Sequence, residues 1–135
     1  KIISDNRGKV MHMLRKDSDV FDKFGEIYFS TINHESIKAW HLHKESTLNY
    51  VCIKGNVKLV LYDDRKESPS KGILQELILT PKNYFLVTIP PMIWNGFKGL
   101  DKEESIIANC LNMPHDEKEM IRIDPLDKSI DYKWS

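Results

Sequence analysis

The sequence predicts an all-β fold, arranged as an antiparallel sandwich or barrel. Short segments rich in β-branched and aromatic residues recur along the chain, and turn-forming residues close each of them. About eight such segments follow one another at close spacing, which is typical of sandwiches and barrels. Only one short stretch, near the C-terminus, has the character of a helix.

The predicted strands begin after Gly25. They are Glu26–Ile32, Ile37–His43, Asn49–Ile53, Val57–Tyr62, Leu74–Leu79, Tyr84–Ile89, Ile93–Phe97 and Ser105–Leu111. Lys54-Gly55-Asn56 separates two of these strands and has the composition of a tight hairpin turn. Asp63–Gly72 is a longer polar loop, in which we expect Arg65 to bind a carboxylate. Pro114–Ile121 is the predicted short helix, because Pro lies in its first turn and acidic residues are close by.

Alternation assigns side chains to the two faces of each strand. One face of Ile37–His43 carries Ile37, Ala39, His41 and His43, and the other carries Lys38, Trp40 and Leu42. In Ile93–Phe97, the residues Ile93, Asn95 and Phe97 share a face. Alternation alone leaves open which face is enclosed, and therefore whether the histidines line a pocket or contact solvent.

Composition limits the classes of function. The 135 residues predict one domain, and 20 basic against 20 acidic residues give no net charge, which disfavours a nucleic-acid-binding protein. No apolar run is long enough for a membrane helix, and the start of the chain does not resemble a signal peptide. We therefore expect a cytoplasmic protein in which Cys52 and Cys110 are reduced thiols.

Several blocks, in order along the chain, resemble one known family. They are Asp5-Asn6-Arg7-Gly8, Lys38-Ala39-Trp40-His41, the loop Asp63–Gly72, Ile89–Phe97 and Ile123-Asp124-Pro125. Together they are similar to the motifs of the dTDP-4-dehydrorhamnose 3,5-epimerase family. The resemblance implies that residues 1–135 form a single cupin domain, a jelly-roll barrel. It also implies a homodimer formed through the N-terminal strand, and a nucleotide-linked keto sugar as the substrate.

The resemblance also implies roles for individual residues. His41 would be the general base, and Asp124 would orient it. Arg7 and His12 lie in the segment that reaches across the family's dimer towards the nucleotide, and Lys38 replaces an Arg that contacts the diphosphate. Without the resemblance, His41 is more readily interpreted as a core histidine and Trp94 as a core aromatic. Lys38 is as readily interpreted as an exposed strand residue.

Two departures from the family motifs concern the chemistry. Asn112 occupies the position of the Tyr that serves as general acid, and an amide cannot supply a proton in each turnover. Asn95 occupies the position of a second histidine. Asn49, Asn95 and Asn112 are expected to line the site together with His43, and Trp94 to stack on a base or sugar ring.

The pair His41 and His43 also invites comparison with the H-x-H motif of metal-binding cupins. Leu48 and Asn95 stand where such sites have a Glu and a third His, so we expect no metal and no cofactor. A metal-dependent dioxygenase is disfavoured for the same reason. Two functions remain open. One is a metal-independent epimerase or isomerase for surface polysaccharide, lipopolysaccharide or deoxysugar synthesis, and the other is a sugar-nucleotide-binding cupin without turnover.

Overall fold

The computed structural model describes residues 1–135, and all of its regular elements are strands apart from one 3-10 turn. The strands are β1 Ile2–Asp5, β2 Gly8–Met11, β3 Glu26–Ile32, β4 Ile37–His43, β5 Leu48–Lys54, β6 Val57–Asp63, β7 Leu74–Leu79, β8 Val87–Ile89, β9 Ile93–Gly99, β10 Ser105–Leu111 and β11 Met120–Arg122. The all-β prediction is therefore confirmed. No helix in this structure is long and apolar enough to cross a membrane.

Two antiparallel sheets form the body of the molecule. The first has four strands in the order β3-β10-β5-β8, and the second has five in the order β11-β4-β9-β6-β7. Between them lies a core of thirteen buried residues, to which Leu59 of β6, Phe97 of β9 and Ile107 of β10 belong. This is the jelly-roll arrangement that the family resemblance implied. The hairpin of β1 and β2 forms a separate two-stranded sheet.

The five-stranded sheet also buries part of its outer face, the face turned away from the four-stranded sheet. Trp40 of β4 and Val60 of β6 pack there against Ile130 and Trp134 from the C-terminal segment. The rings of Trp40 and Trp134 lie 5.0 Å apart between centroids. A second, smaller apolar cluster, the outer cluster, therefore ties the C-terminal segment to the sheet.

A register shift interrupts β4 between Lys38 and His41, opposite β9. Lys38 pairs with Phe97 and His41 pairs with Asn95, so one more residue separates the pairs on β4 than on β9. Strict alternation is incomplete here: Ala39, which it placed beside His41, also packs against the outer cluster with Trp40. His41 and His43 remain on the same face, as expected.

Two local predictions are corrected by the structure. Lys54-Gly55-Asn56 is a tight turn with φ +87° at Gly55, but it does not close a hairpin, because β5 and β6 belong to different sheets. The segment predicted as a helix over Pro114–Ile121 contains only the 3-10 turn Glu117–Glu119 and then enters β11. Backbone pairing with β4 overrides the local helix signal in that segment.

The polar loop after β6 is held as the sequence predicted. The guanidinium of Arg65 donates to both carboxylate oxygens of Asp63, at 3.0 and 2.9 Å. The hydroxyls of Ser68 and Ser70 donate to the same carboxylate. Arg65 and these hydrogen bonds hold the pKa of Asp63 well below its usual range. The loop is therefore a structural element rather than a candidate site.

Candidate active site

A cavity of about 410 Å³ lies between the two sheets, within the size range of small-ligand sites. The four-stranded sheet contributes the polar side chains of Tyr28, Ser30 and Tyr50, and the five-stranded sheet contributes Lys38, His41, His43 and Arg122. Phe97 and Leu111 add apolar surface. The cavity thus combines an apolar floor with polar groups on two opposite walls.

His41 stands in this cavity as a neutral imidazole. Its strand is fixed to β9, because the amide of Asn95 donates to the main-chain oxygen of His41 at 3.3 Å. Burial lowers the pKa of His41 to about 4, and electrostatic interactions with His43 and Arg122 act in the same direction. At neutral pH the ring therefore has a free lone pair that can accept a proton.

His43 is paired with a buried carboxylate. Its Nδ1 hydrogen bonds to Glu119, and both side chains are almost fully buried. Glu119 also accepts from the backbone N–H groups of Glu45 and Ser46, at 3.1 and 3.3 Å. Burial alone would raise the pKa of Glu119, but His43 and the two N–H groups outweigh it and lower the pKa. Because a carboxylate only accepts, His43 carries its proton on Nδ1.

Two tyrosines on the opposite wall are held by different networks. The hydroxyl of Tyr28 accepts from the side-chain amide of Asn109 at 2.9 Å. The hydroxyl of Tyr50 donates to the side-chain oxygen of Asn95 at 3.3 Å. Burial raises the pKa of both tyrosines. Both phenols therefore stay protonated at neutral pH.

Two exposed cations border the cavity. The Lys38 ammonium donates to the backbone oxygen of Thr31 at 2.6 Å, which holds it against the end of β3. The Arg122 guanidinium donates to Glu117 at 2.9 Å. Both groups retain further donors for an anion, since an ammonium has three and a guanidinium five.

The sequence profile of dTDP-4-dehydrorhamnose 3,5-epimerase matches residues 1–135, the whole of the chain. The chain belongs to this family. A crystal structure described as a dTDP sugar isomerase from Desulfovibrio desulfuricans G20 superimposes with a TM-score of 0.96 at 38% identity, covering 99% of this chain and 86% of that one.

Two further proteins are similar to this chain in sequence. The "Probable low-salt glycan biosynthesis epimerase Agl13" of Haloferax volcanii is 32% identical over 111 residues, which is 81% of this chain and 71% of the relative. The "Spore coat polysaccharide biosynthesis protein SpsL" of Bacillus subtilis is 28% identical over 134 residues, 98% of this chain and 89% of the relative.

The residues that the epimerase resemblance singled out fall into two groups. His41, His43 and Lys38 line the cavity together. Asp124 does not join them: it is exposed, and its carboxylate accepts from the backbone N–H of Leu126 at 2.8 Å within a turn. The structure therefore does not bring the expected pair of His41 and Asp124 together, and the buried carboxylate of the site is Glu119.

Asn49 and Asn112, which were predicted to line the site, bind other segments of the chain instead. Asn49 donates to the backbone oxygen of Cys110 at 3.2 Å and accepts from Thr88 at 2.7 Å. Asn112 accepts from the backbone N–H of Thr47 at 2.9 Å and donates to Asp22 at 3.1 Å. These amides hold neighbouring strands and loops together, because each satisfies a donor or acceptor of another segment.

Other predicted contacts also lie away from the cavity. Asn95 is fully buried beneath His41, and Trp94 packs against the outer cluster on the opposite face of the sheet. Arg7 lies at the tip of the β1–β2 hairpin, where it pairs with Asp5 at 2.7 Å, and His12 is exposed just after β2. Within one chain, none of these four side chains lines the site.

Several residues of the site were not predicted from the sequence, among them Tyr28, Glu119 and Arg122. Alternation along Glu26–Ile32 places Tyr28 and Ser30 on one face, and that signal was available. Glu119 lay inside the predicted helix Pro114–Ile121, and Arg122 lay just beyond it. Neither was expected at the site, since β11 exists only through its pairing with β4.

No group of three or more His, Cys, Asp or Glu side chains is arranged to hold a metal ion. The imidazole rings of His41 and His43 lie 6.1 Å apart between centroids, and the one neighbouring carboxylate, Glu119, is hydrogen bonded to Nδ1 of His43. Metal independence of the activity remains a prediction. Cys52 and Cys110 are both free thiols, as expected.

Proposed function

We propose that this protein is a metal-independent isomerase that removes a proton from a carbon next to the ketone of a dTDP-linked 4-keto-6-deoxyhexose. The observation that carries the proposal is a neutral, half-buried His41 in a cavity bordered by two cations. Family membership supports the substrate class. The relatives named for glycan and spore coat polysaccharide synthesis support a role in making surface polysaccharide.

In the proposed reaction, the imidazole of His41 accepts the proton of the carbon beside the ketone. The electron pair of the broken C–H bond forms a C=C bond, and the ketone oxygen becomes an enolate. Protonation of that carbon from the other side inverts it. The pKa of His41 is low in the empty cavity, and the negative charges of a bound diphosphate would favour the imidazolium that forms.

Lys38 and Arg122 are the proposed partners of the diphosphate. They lie on neighbouring strands of one sheet, and each carries unused N–H donors towards solvent. Arg122 offers the planar fork that matches a phosphate in two contacts, whereas Lys38 acts as a point charge. Lys38 was predicted from the sequence, whereas Arg122 was not.

We also propose a homodimer formed through the N-terminal hairpin. Ile3 and Val10 are partners in the β1–β2 register, and both are exposed. Phe24, Ile27 and Phe29 add exposed apolar surface at or near the edge strand β3. Burial of these groups against a second copy would remove them from water, and would let Arg7 and His12 reach the partner's nucleotide.

Light scattering at micromolar concentration tests the dimer. The full chain should be dimeric, and a variant with Ile3→Ser and Val10→Ser should be monomeric. Lys9→Ser, on the same strand, is the matched control and should leave the dimer intact. A monomeric wild-type protein would contradict the proposal.

We also propose that the protein is cytoplasmic, because the free thiols of Cys52 and Cys110 stay reduced in that compartment.

The second candidate function is sugar-nucleotide binding without turnover. The observation in its favour is Asn112, which occupies the family's general-acid position and is committed to the backbone of Thr47 and to Asp22. Both candidates predict binding of a dTDP-sugar. They differ in whether a proton leaves the sugar.

Deuterium uptake from heavy water into dTDP-4-keto-6-deoxyglucose, followed by NMR, separates the two. The wild-type protein should exchange protons beside the ketone, and His41→Asn should lower the rate at least about a hundredfold with dTDP affinity nearly unchanged. His43→Asn is the matched control and should cost less than about tenfold. Absence of exchange in a wild-type protein that binds dTDP would establish the binding function. Loss confined to His43→Asn would transfer the role of base to His43.

A further inference from the structure

Inversion of a carbon needs a proton donor on the face opposite the base. His43 cannot supply it across the sugar, because His41 and His43 lie on the same strand and the same wall. Asn112 has no acidic proton, and its side chain is engaged outside the cavity. His115 also borders the cavity, but it leads into β11, the neighbour of β4, and its Nε2 is engaged by Glu117 at 2.8 Å. We therefore look for the donor on the wall formed by the four-stranded sheet.

Tyr28 is on that wall. It belongs to β3, lines the same cavity as His41, and is 39% exposed, so its ring can meet a ligand. Burial raises the pKa of Tyr28, although the Asn109 hydrogen bond lowers it in part, so the phenol is protonated at neutral pH. The nearby Arg122 also lowers the pKa, because a positive charge favours the phenolate left after a proton is given up.

The direction of the hydrogen bonds leaves the Tyr28 proton free. The backbone N–H of Asn49 donates to the side-chain oxygen of Asn109 at 3.2 Å, which fixes which end of that amide is the acceptor. The other end, the NH₂ group, faces Tyr28 and donates to its hydroxyl oxygen at 2.9 Å. Asn109 is fully buried and so is held in this orientation. The hydroxyl of Tyr28 therefore accepts from Asn109 and keeps its own proton for the cavity.

Tyr50, the other tyrosine of the cavity, differs on this point. Its hydroxyl donates to the side-chain oxygen of Asn95 at 3.3 Å, so its proton is already committed, and the residue is almost fully buried. The two phenols share a wall, but the hydroxyl of Tyr50 donates its hydrogen bond within the protein, whereas that of Tyr28 accepts one. Of the two phenols, only that of Tyr28 combines a free O–H with exposure to the cavity.

We infer that Tyr28 is the catalytic proton donor that acts from the wall opposite His41, in place of the family's missing tyrosine. The inference rests on the proposed function. The enolate re-forms its C=O bond as the C=C electron pair takes the proton of Tyr28, which leaves a phenolate. The proton that His41 accepted passes to water, and the phenolate takes one back from water, so each cycle ends with both residues restored.

The test measures exchange and inversion separately. With dTDP-4-keto-6-deoxyglucose in heavy water, NMR reports both the deuterium taken up and the inverted product. Tyr28→Phe should keep deuterium uptake within about tenfold of the wild type, because His41 still removes and returns a proton on its own face. The inverted product should fall at least about a hundredfold. Tyr28→His, which restores a proton donor, should recover part of the inversion.

Tyr62→Phe is the control for loss of a hydroxyl, because Tyr62 packs against the outer cluster, and it should match the wild type. Inversion by Tyr28→Phe within threefold of the wild type would overturn the inference and leave the proposed function standing. Equal loss of exchange and inversion would overturn it as well, since Tyr28 would then serve in binding. A wild-type protein without exchange would instead defeat the proposed function, and this inference with it. Should Tyr28→Phe fail to fold, the ratio of inversion to exchange is measured in Tyr28→His instead. A ratio below that of the wild type supports the inference, and a ratio equal to that of the wild type overturns it.

Discussion

The two faces of the five-stranded sheet differ in how they are packed. Its outer face is filled: Trp40 and Trp134 pack together with Val60 and Ile130, and little of any of them reaches solvent. Its inner face keeps a cavity in front of His41 and His43, lined by charged and polar groups. Adjacent residues of one strand, Trp40 and His41, thus serve packing on one face and chemistry on the other. A change on the outer face should alter stability, and a change on the inner face should alter turnover.

The largest expected effect is on the outer face. Trp134→Ala removes a large buried side chain, and the cost is about 3–5 kcal/mol of unfolding free energy. Urea denaturation measures it. Leu126→Ala, at a residue that is 81% exposed in the same C-terminal segment, should change stability by less than about 0.5 kcal/mol. Turnover per folded molecule should be unchanged in both, and a catalytic loss in folded Trp134→Ala would break the distinction between the faces.

The next effect concerns the inner face and depends on pH. The pKa of His41 is about 4 in the folded protein, against about 6.5 for an unperturbed histidine. Between these values the unfolded chain binds the additional proton, so stability falls as the pH drops below about 6.5. His41→Asn removes this dependence. Relative to the wild type, the variant should therefore gain roughly 2–3 kcal/mol of unfolding free energy between pH 7 and pH 4.5.

Chemical denaturation of both proteins at pH 7 and pH 4.5 measures that difference. The carboxylates with lowered pKa values, such as Glu119, also weaken the fold in acid, but they do so equally in the wild type and in His41→Asn. Trp134→Ala should keep the full wild-type slope with pH. An identical slope in His41→Asn would mean that the imidazole is not kept neutral by its surroundings.

The smallest effect is at the mouth of the cavity. Lys38→Ala should weaken dTDP binding by a few-fold, because an exposed ion pair contributes only about 1 kcal/mol. Its binding should also depend less on salt than that of the wild type, since one screened charge is gone. Lys66→Ala, in the structural loop after β6, is the control and should bind as the wild type does. Titration calorimetry at two salt concentrations measures the affinity for dTDP and its dependence on salt. Equal weakening in the two variants would indicate that losing a positive charge anywhere on the protein weakens binding.

Much of the framework was predictable because its signals are local. Four of the predicted strands match the observed bounds, among them Glu26–Ile32, in which five of seven residues are β-branched or aromatic. The strand β11 was not predictable in this way. Its three residues pair with His41, Leu42 and His43, about eighty positions earlier, and a local helix signal competes with that distant partner.

The candidate site shows the same limit. His41 and His43 share a strand, so alternation alone put them on one face. The carboxylate partner could not be found by spacing, because Glu119 reaches His43 only through the pairing of β11 with β4, whereas Asp124 lies past the end of that pairing. Tyr28 faces His41 across the gap between two sheets, and the sequence contains no local signal for which strands will face each other.

The pairing of β11 with β4 has a consequence for the protein during synthesis. All other strands precede β11 in the chain, so a nascent protein can assemble both sheets while the edge of β4 is still bare. At that stage His43 has no Glu119, the cavity has no Arg122, and Trp40 has no Trp134 to cover it. Competence to bind substrate should therefore arise only when residues 119–134 have left the ribosome. Until then the uncovered β4 edge and Trp40 are the surfaces that a chaperone would have to protect.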